Sequence, residues 1–287
     1  MVLVADSGST KTDWRLIDGN KEIGQIKTKG FNPYYQELDE MIREVQDHLL
    51  PFVNVSNIEK IYFYGAGCST KERQQKITDT LSPYFQKSKI YVQSDLIGAA
   101  RALSGNKSGI VCILGTGSGS CLYDGVKVIR NIPSLGFVLG DEGSGAWLGK
   151  KMVTDYLRGH MPKKCIETIN QQLHIDKETI LEHVNRKPMP SRYLAGFAQF
   201  ISDNIDQTYF YQLIFDSFTA FAKNYILRYP NYSEFDCHFV GSIAFHNQDI
   251  LEQVSKYTGF KLGNIIKSPI DGLTIFHINN TIDFEHH

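Results

Sequence analysis

Apolar and polar positions along the chain fall into two copies of one pattern. The first copy opens with the apolar run Val2-Leu3-Val4-Ala5, turns through Asp6-Ser7-Gly8-Ser9-Thr10-Lys11-Thr12, and leaves through Leu16-Ile17-Asp18-Gly19. The second opens with Ile110-Val111-Cys112-Ile113-Leu114, turns through Gly115-Thr116-Gly117-Ser118-Gly119-Ser120, and leaves through Leu122-Tyr123-Asp124-Gly125. Short apolar runs bounded by turn residues read as buried strands. Each copy therefore predicts a β-hairpin, and the duplication predicts two related halves.

Further along, residues 21–28 read as a third strand leading into the Gly30-Phe31-Asn32-Pro33 turn. Leu38, Met41, Ile42, Val45 and Leu49 recur at helical spacing, which predicts a helix over 38–50 closed by Pro51. Residues 58–64 read as a strand ending in Gly65-Ala66-Gly67, 71–81 as a polar helix, and 89–92 as another strand. Ser94-Asp95 opens a helix through Leu103. This alternation predicts an α/β protein with mixed sheets flanked by helices. The polar stretch Ser104 to Gly109 is the expected linker, dividing an N-terminal domain at 1–105 from a C-terminal domain at 106–287. In the second half we expect a loop around 131–136, a helix over 146–158, a mainly helical insert over 166–229, a strand over 237–240 and a helix over 248–258. The last helix is free to pack back on the N-terminal domain.

Thirty basic and 31 acidic side chains leave a formal charge of −1, so no broad basic surface is available for nucleic acid or anionic lipid. The five cysteines, Cys68, Cys112, Cys121, Cys165 and Cys237, include no close pair of the kind metal or cluster sites use. An odd, scattered set suits a reducing compartment, Cys112 and Cys121 being core residues of their strands. With no charged leader and no apolar stretch of membrane-spanning length, the expected location is the cytoplasm. A homodimer is one assembly open to the chain. The terminal Glu285-His286-His287 is assigned no function.

The chemistry lies in the turns. Glycines let backbone amides approach an anion, and Ser and Thr hydroxyls add donors around it; two such turns could grip a polyphosphate. The alternative is a pair of ordinary hairpins. Known nucleotide signatures do not fit: the third glycine of a dinucleotide fingerprint after Gly115 and Gly117 would fall on Ser120, and elsewhere Gly149-Lys150 is followed by Lys151 where a P-loop needs Ser or Thr.

Three spaced motifs, Asp6 to Thr12, Leu114 to Ser118, and Val240-Gly241-Ser242-Ile243-Ala244, together resemble the two phosphate motifs and the adenosine motif of the sugar kinase, Hsp70 and actin superfamily. Leu139-Gly140-Asp141-Glu142-Gly143-Ser144-Gly145 is similar to the diagnostic run of the BadF/BadG-type ATPase family, which includes N-acetylglucosamine kinases. The resemblance implies two ribonuclease-H-like, actin-like ATPase domains with a cleft between them, and an ATP- and Mg²⁺-dependent kinase acting on a hydroxyl, O6 by family analogy, of an amino sugar. By that resemblance Gly8, Ser9, Thr10, Lys11, Gly115, Thr116, Gly117 and Ser118 bind the nucleotide phosphates, Gly241 and Ser242 the adenosine, and Asp6 orients Mg²⁺ through water. Asn32, Asp95, Thr116, Gly136 and Asp141 would contact sugar, with Asp95 the catalytic base. Each has a plainer alternative: Asp6 as a turn stabiliser, Asp95 as helix-cap chemistry, Asn32-Pro33 as a turn, Asp141-Glu142 as solvated surface, and Gly241-Ser242 as a strand-to-helix turn. Some N-acetylglucosamine kinases carry an aromatic residue where this chain has Leu135, so the resemblance implies a sugar class rather than one sugar. The competing functions are an ATPase driving a partner protein, as in the iron–sulfur activators of the family, and a non-catalytic sugar-binding regulator.

Overall fold

Two five-stranded sheets carry the duplicated pattern in the computed structural model, which describes residues 1–8 and 10–280; Ser9 and the terminal Glu285-His286-His287 lie outside the described residues. The first sheet runs β3-β2-β1-β4-β5 from β1 (Val2–Ser7), β2 (Lys11–Asp18), β3 (Lys21–Lys29), β4 (Lys60–Gly65) and β5 (Lys89–Ser94). Its first three strands are antiparallel neighbours, whereas β4 and β5 lie parallel to β1. The second sheet repeats that order as β8-β7-β6-β9-β10, from β6 (Gly109–Leu114), β7 (Ser118–Tyr123), β8 (Val128–Ile132), β9 (Asp236–Val240) and β10 (Lys261–Ile266).

The loop expected around 131–136 is therefore partly strand. Asn131 pairs with Cys121 and Ile132 with Ser120, so the Asp124-Gly125 turn sends the chain back along β7 as Asp18-Gly19 sends β3 back along β2. The strand is mostly exposed, and without a buried face it lacks the apolar alternation that marks a strand in sequence.

By contacts the chain forms two compact units. The first holds residues 1–107, 125–127 and the segment from Ser268; the second holds 108–124 and 128–267. In the first, α1 (Leu38–His48) and α2 (Lys71–Leu81) cover one sheet face, where Trp14, Phe31 and Phe63 pack with ring centroids 5.8 to 6.1 Å apart. α1 stops two residues short of its expected end: Pro51 has no N–H to continue the α-helical ladder, and the chain passes into a 3₁₀ turn over Leu50–Phe52. The other face is covered by α3 (Asp95–Ser104) and the last helix.

In the second unit α4 (Gly136–Leu139) leads to α5 (Gly145–Arg158). The helical insert comprises α6 (Lys163–Gln172), α7 (Lys177–Asn185), α8 (Pro190–Ala195), α9 (Ala198–Asp203) and α10 (Thr208–Asn224), followed by α11 (Ser242–His246) and α12 (Gln248–Thr258). Phe197, Phe200, Leu213, Phe218, Phe221 and Ile226 of the insert join a single core with β6, β7 and β9.

α13 (Ile270–Asn279) belongs to the first unit and packs Ile270 and Leu273 against Val4, Ile17, Tyr62 and Tyr64. Gly272 permits the approach to α3, since a Cβ there would meet the Ala102 carbonyl oxygen at 2.6 Å. Arg15 Nη2 reaches Asp271 Oδ1 at 3.1 Å, tying β2 to α13. All five cysteines are buried free thiols. No helix among the described residues is long and apolar enough to cross a membrane.

Candidate active site

In the first unit the candidate residues gather where β1, β4 and β5 end in register, Ser7 beside Gly65 and Gly65 beside Ser94. The carboxyl ends of parallel strands are where an open α/β sheet presents its loops to ligands. Asp6 and Asp95 sense one another's charge here. Burial first, then the Asp95 and Asp13 charges, push the Asp6 carboxyl up to about 7, against the pull of Lys11 and a hydrogen bond from the Ser268 hydroxyl.

Asp95 is the first residue of α3. Ser94, at the cap position, makes no side-chain capping bond, while Asp95 Oδ1 accepts from the Leu96 N–H at 2.9 Å. Burial raises the Asp95 carboxyl to about 6, with backbone hydrogen bonds opposing it. A carboxylate in that range is ionised near neutrality yet basic enough to take a proton.

Not every hydroxyl of the first turn faces a ligand. Ser7 Oγ and Thr12 Oγ1 are 2.7 Å apart and buried, and they bond the Phe31 and Lys29 carbonyls. Gly8 N–H closes the turn onto the Lys11 carbonyl at 3.0 Å, and Thr10 is exposed. Lys11 Nζ sits 2.6 Å from Asp13 Oδ2.

Asn32 is buried, and its Oδ1 accepts from the Tyr34 N–H at 3.1 Å. Gly67, at φ +81°, backs so closely on that Oδ1 that a side chain there would collide with it. Oδ1 is thus spent on the turn, and Nδ2 is the group left to donate.

In the second unit the Gly115-Thr116-Gly117 turn is held from behind by α5. The Gly115 and Thr116 carbonyls accept from Gly145 N–H at 2.8 Å and Ala146 N–H at 3.1 Å, satisfying donors that a helix start leaves unpaired. Ser144 caps the same helix by accepting from the Trp147 N–H at 3.1 Å.

Asp141, at φ +60°, is buried rather than solvated. Its carboxylate accepts from the Ser134 hydroxyl at 2.7 Å and from the Ser118 N–H, and burial raises its proton affinity. The Ser118 side chain is itself buried and turned to Tyr225. Glu142 accepts from Asn224 Nδ2 at 2.8 Å, anchoring the loop to α10.

Gly136 begins α4 at φ +73°, behind the exposed Leu135. Gly241, at φ +122°, lies directly against the Leu114 carbonyl, where no side chain fits, and Ser242 opens α11. Within each unit, then, residues distant in sequence converge: Asp6, Lys11 and Asp95 in one, the 115–118 turn with Asp141 and Gly241 in the other. Asp13, Ser134 and Ser268 were missed. Only Asp13 left a sequence signal, as a charge inside an otherwise buried strand.

A repeated five-stranded mixed sheet, with its polar residues at the strand ends and hairpin turns, defines a duplicated ribonuclease-H-like fold of the actin-like ATPase and sugar kinase type. The chain belongs to the BadF/BadG/BcrA/BcrD ATPase family, whose model matches residues 5–160. It is similar to a candidate N-acetylglucosamine kinase from Porphyromonas gingivalis, 42% identical with a TM-score of 0.94 over 98% of this chain and 100% of that one. A candidate N-acetylglucosamine kinase from Chromobacterium violaceum, 19% identical, has a TM-score of 0.72 over 96% of this chain and 98% of that one. A candidate N-acetylmannosamine kinase from Listeria monocytogenes, 12% identical, has a TM-score of 0.55 over 98% and 99%. The last two share the fold. No curated protein matches the chain.

Proposed function

We propose that this protein is an ATP-dependent kinase that phosphorylates a hydroxyl, O6 by family analogy, of an amino sugar such as N-acetylglucosamine or glucosamine. The observation that carries this reading is the pair of desolvated, mutually repelling carboxyls, Asp6 and Asp95, at the ends of β1 and β5. Phosphoryl transfer is catalysed mostly by positioning and charge neutralisation, together with one group to receive the acceptor's proton.

Asp95 takes the base role: its carboxylate accepts the hydroxyl proton while the sugar oxygen forms a bond to the γ-phosphorus and the bond to the β–γ bridging oxygen breaks, releasing ADP. By the same resemblance Thr10 and Lys11 serve the nucleotide phosphates, as does the 115–118 turn through Thr116 and Gly117. Gly241 and Ser242 leave room for adenosine. Asn32, Thr116, Gly136 and Asp141 contact sugar.

Among the described residues no group of three or more His, Cys, Asp or Glu side chains converges to hold a metal. Mg²⁺ seldom needs such a cage, being held by one or two carboxylates, water and substrate phosphates. Asp6, whose ionisation is resisted by burial and then by neighbouring negative charge, fits that role through water. Bound there, the ion would supply charge neutralisation for the transferring group.

The P. gingivalis relative supports the amino-sugar class. The partner-ATPase alternative is less favoured because each cysteine is buried within its unit, away from a surface where a shared iron–sulfur cluster would need it. A coupled ADP-release assay over amino sugars and hexoses tests the proposal: turnover stimulated by an amino sugar is expected, and stimulation by none of them overturns it.

A further inference from the structure

Asp13 stands directly opposite Asp6 in the β1–β2 ladder, so the two side chains share a sheet face. Like charges facing each other across strands are destabilising, and this one raises the Asp6 proton affinity. Asp13 is also buried, its side chain 5% exposed, whereas the Lys11 side chain that meets it at 2.6 Å is 60% exposed. Lys11 and Asp13 are two residues apart on one strand and so project to the same face. A fixed carboxylate thus tethers the tip of a long cation whose stem reaches into solvent, at the rim of the turn proposed to serve phosphate.

We infer that Asp13 is a positioning residue for the transfer reaction, acting through Lys11: it aims the ammonium at the nucleotide phosphates. This rests on the kinase reading above. An ammonium has three donors; one goes to Asp13 and two remain for phosphate oxygens. A free lysine must lose rotamer freedom to reach one geometry, and Asp13 removes much of that freedom before nucleotide arrives. Protein kinases use the same device, an acidic side chain holding the phosphate-binding lysine in place. The arrangement also explains a charge in a buried strand that a neutral residue would fill more stably.

The test is a double-mutant cycle on wild type, Lys11→Ala, Asp13→Asn and the double variant, each with its thermal melt. Asp13→Asn is expected to lower kcat about tenfold while the ATP KM stays within about threefold, and to cause no further loss in the Lys11→Ala background. Asp13→Glu, which keeps the charge, should recover part of the rate, and it replaces Asp13→Asn in the cycle if that variant does not fold. An equal loss with and without Lys11, or a kcat within twofold of wild type for Asp13→Asn, overturns the inference. If wild type phosphorylates no amino sugar, the kinase reading fails on its own. The same cycle is then read on basal ATP hydrolysis, where a loss confined to the Lys11 background supports the inference and an equal loss defeats it.

Discussion

Gly117 lies against the Asp141 carboxylate: a Cβ built on it would meet Oδ2 at 3.1 Å. That distance is tighter than ordinary packing, so the glycine lets Asp141 reach past the turn and accept the Ser118 N–H while Ser134 fixes its other side. Gly117→Ala should push the carboxylate out by a few tenths of an ångström without unfolding the second unit. The expected outcome is a sugar KM raised several-fold with a melting temperature within a few degrees of wild type. A KM unchanged for both substrates would remove Asp141 from the sugar site.

Asp95→Asn should reduce transfer by 10²-fold or more, about the contribution of a positioned base, while nucleotide and sugar binding persist in calorimetry. The amide oxygen can still accept the Leu96 N–H, so helix α3 keeps its start. Because the carboxyl titrates at about 6, wild-type kcat/KM should fall as pH drops through that value and the base becomes protonated. Loss of stability in place of loss of rate would return Asp95 to a structural role.

Asp6 works against the fold. Its proton affinity is raised in the native state, from the ordinary value of 3.8 to about 7. Its contribution to stability is therefore greatest below pH 4 and is lost as pH rises through 7. Asp6→Asn should melt higher than wild type at pH 8, by an amount on the order of 2–4 kcal/mol in unfolding free energy, and the gap should close towards pH 4. The same variant should be inactive. Equal stability at pH 8 would show that the charge is already neutralised.

His277 behaves oppositely. It stacks on Tyr62 with ring centroids 4.1 Å apart, and its Nε2 lies 2.9 Å from the Tyr64 hydroxyl, which also accepts from Arg101. Burial, and then the Arg101 charge, lower its pKa to about 3. Stability from the neutral imidazole is full above 6.5 and lost as pH falls toward 3. His277→Gln should be less stable than wild type at pH 7, with a difference in denaturant midpoint that shrinks by pH 4. A constant difference across that range would mean the imidazole does not titrate with unfolding.

Much of this protein was legible as local pattern. The two hairpins, helices such as Lys71–Leu81, and the loop glycines follow from side-chain periodicity and turn chemistry, which depend on residues a few positions apart. Motif resemblance placed Asp6 and Asp95 among the candidates because their neighbours in sequence are distinctive. β8 escaped because its exposed residues carry no buried face, although the repeat itself, in which Asp18-Gly19 precedes β3, pointed to a third strand after Asp124-Gly125.

Pairing between strands distant in sequence, by contrast, was settled only in three dimensions. The predicted hairpin returns β2 along β1, but nothing near Asp6 in the chain says that Asp13 is its register partner, that Ser268, just before α13, reaches it, or that Ser134 braces Asp141. Those contacts depend on ladder register and on helices returning from far along the chain. Sequence alone determined which segments become strands, turns and helices, since those preferences are intrinsic to short stretches. Tertiary structure decided which charges meet and lose water, because proton affinity and positioning arise from neighbours that only folding brings together.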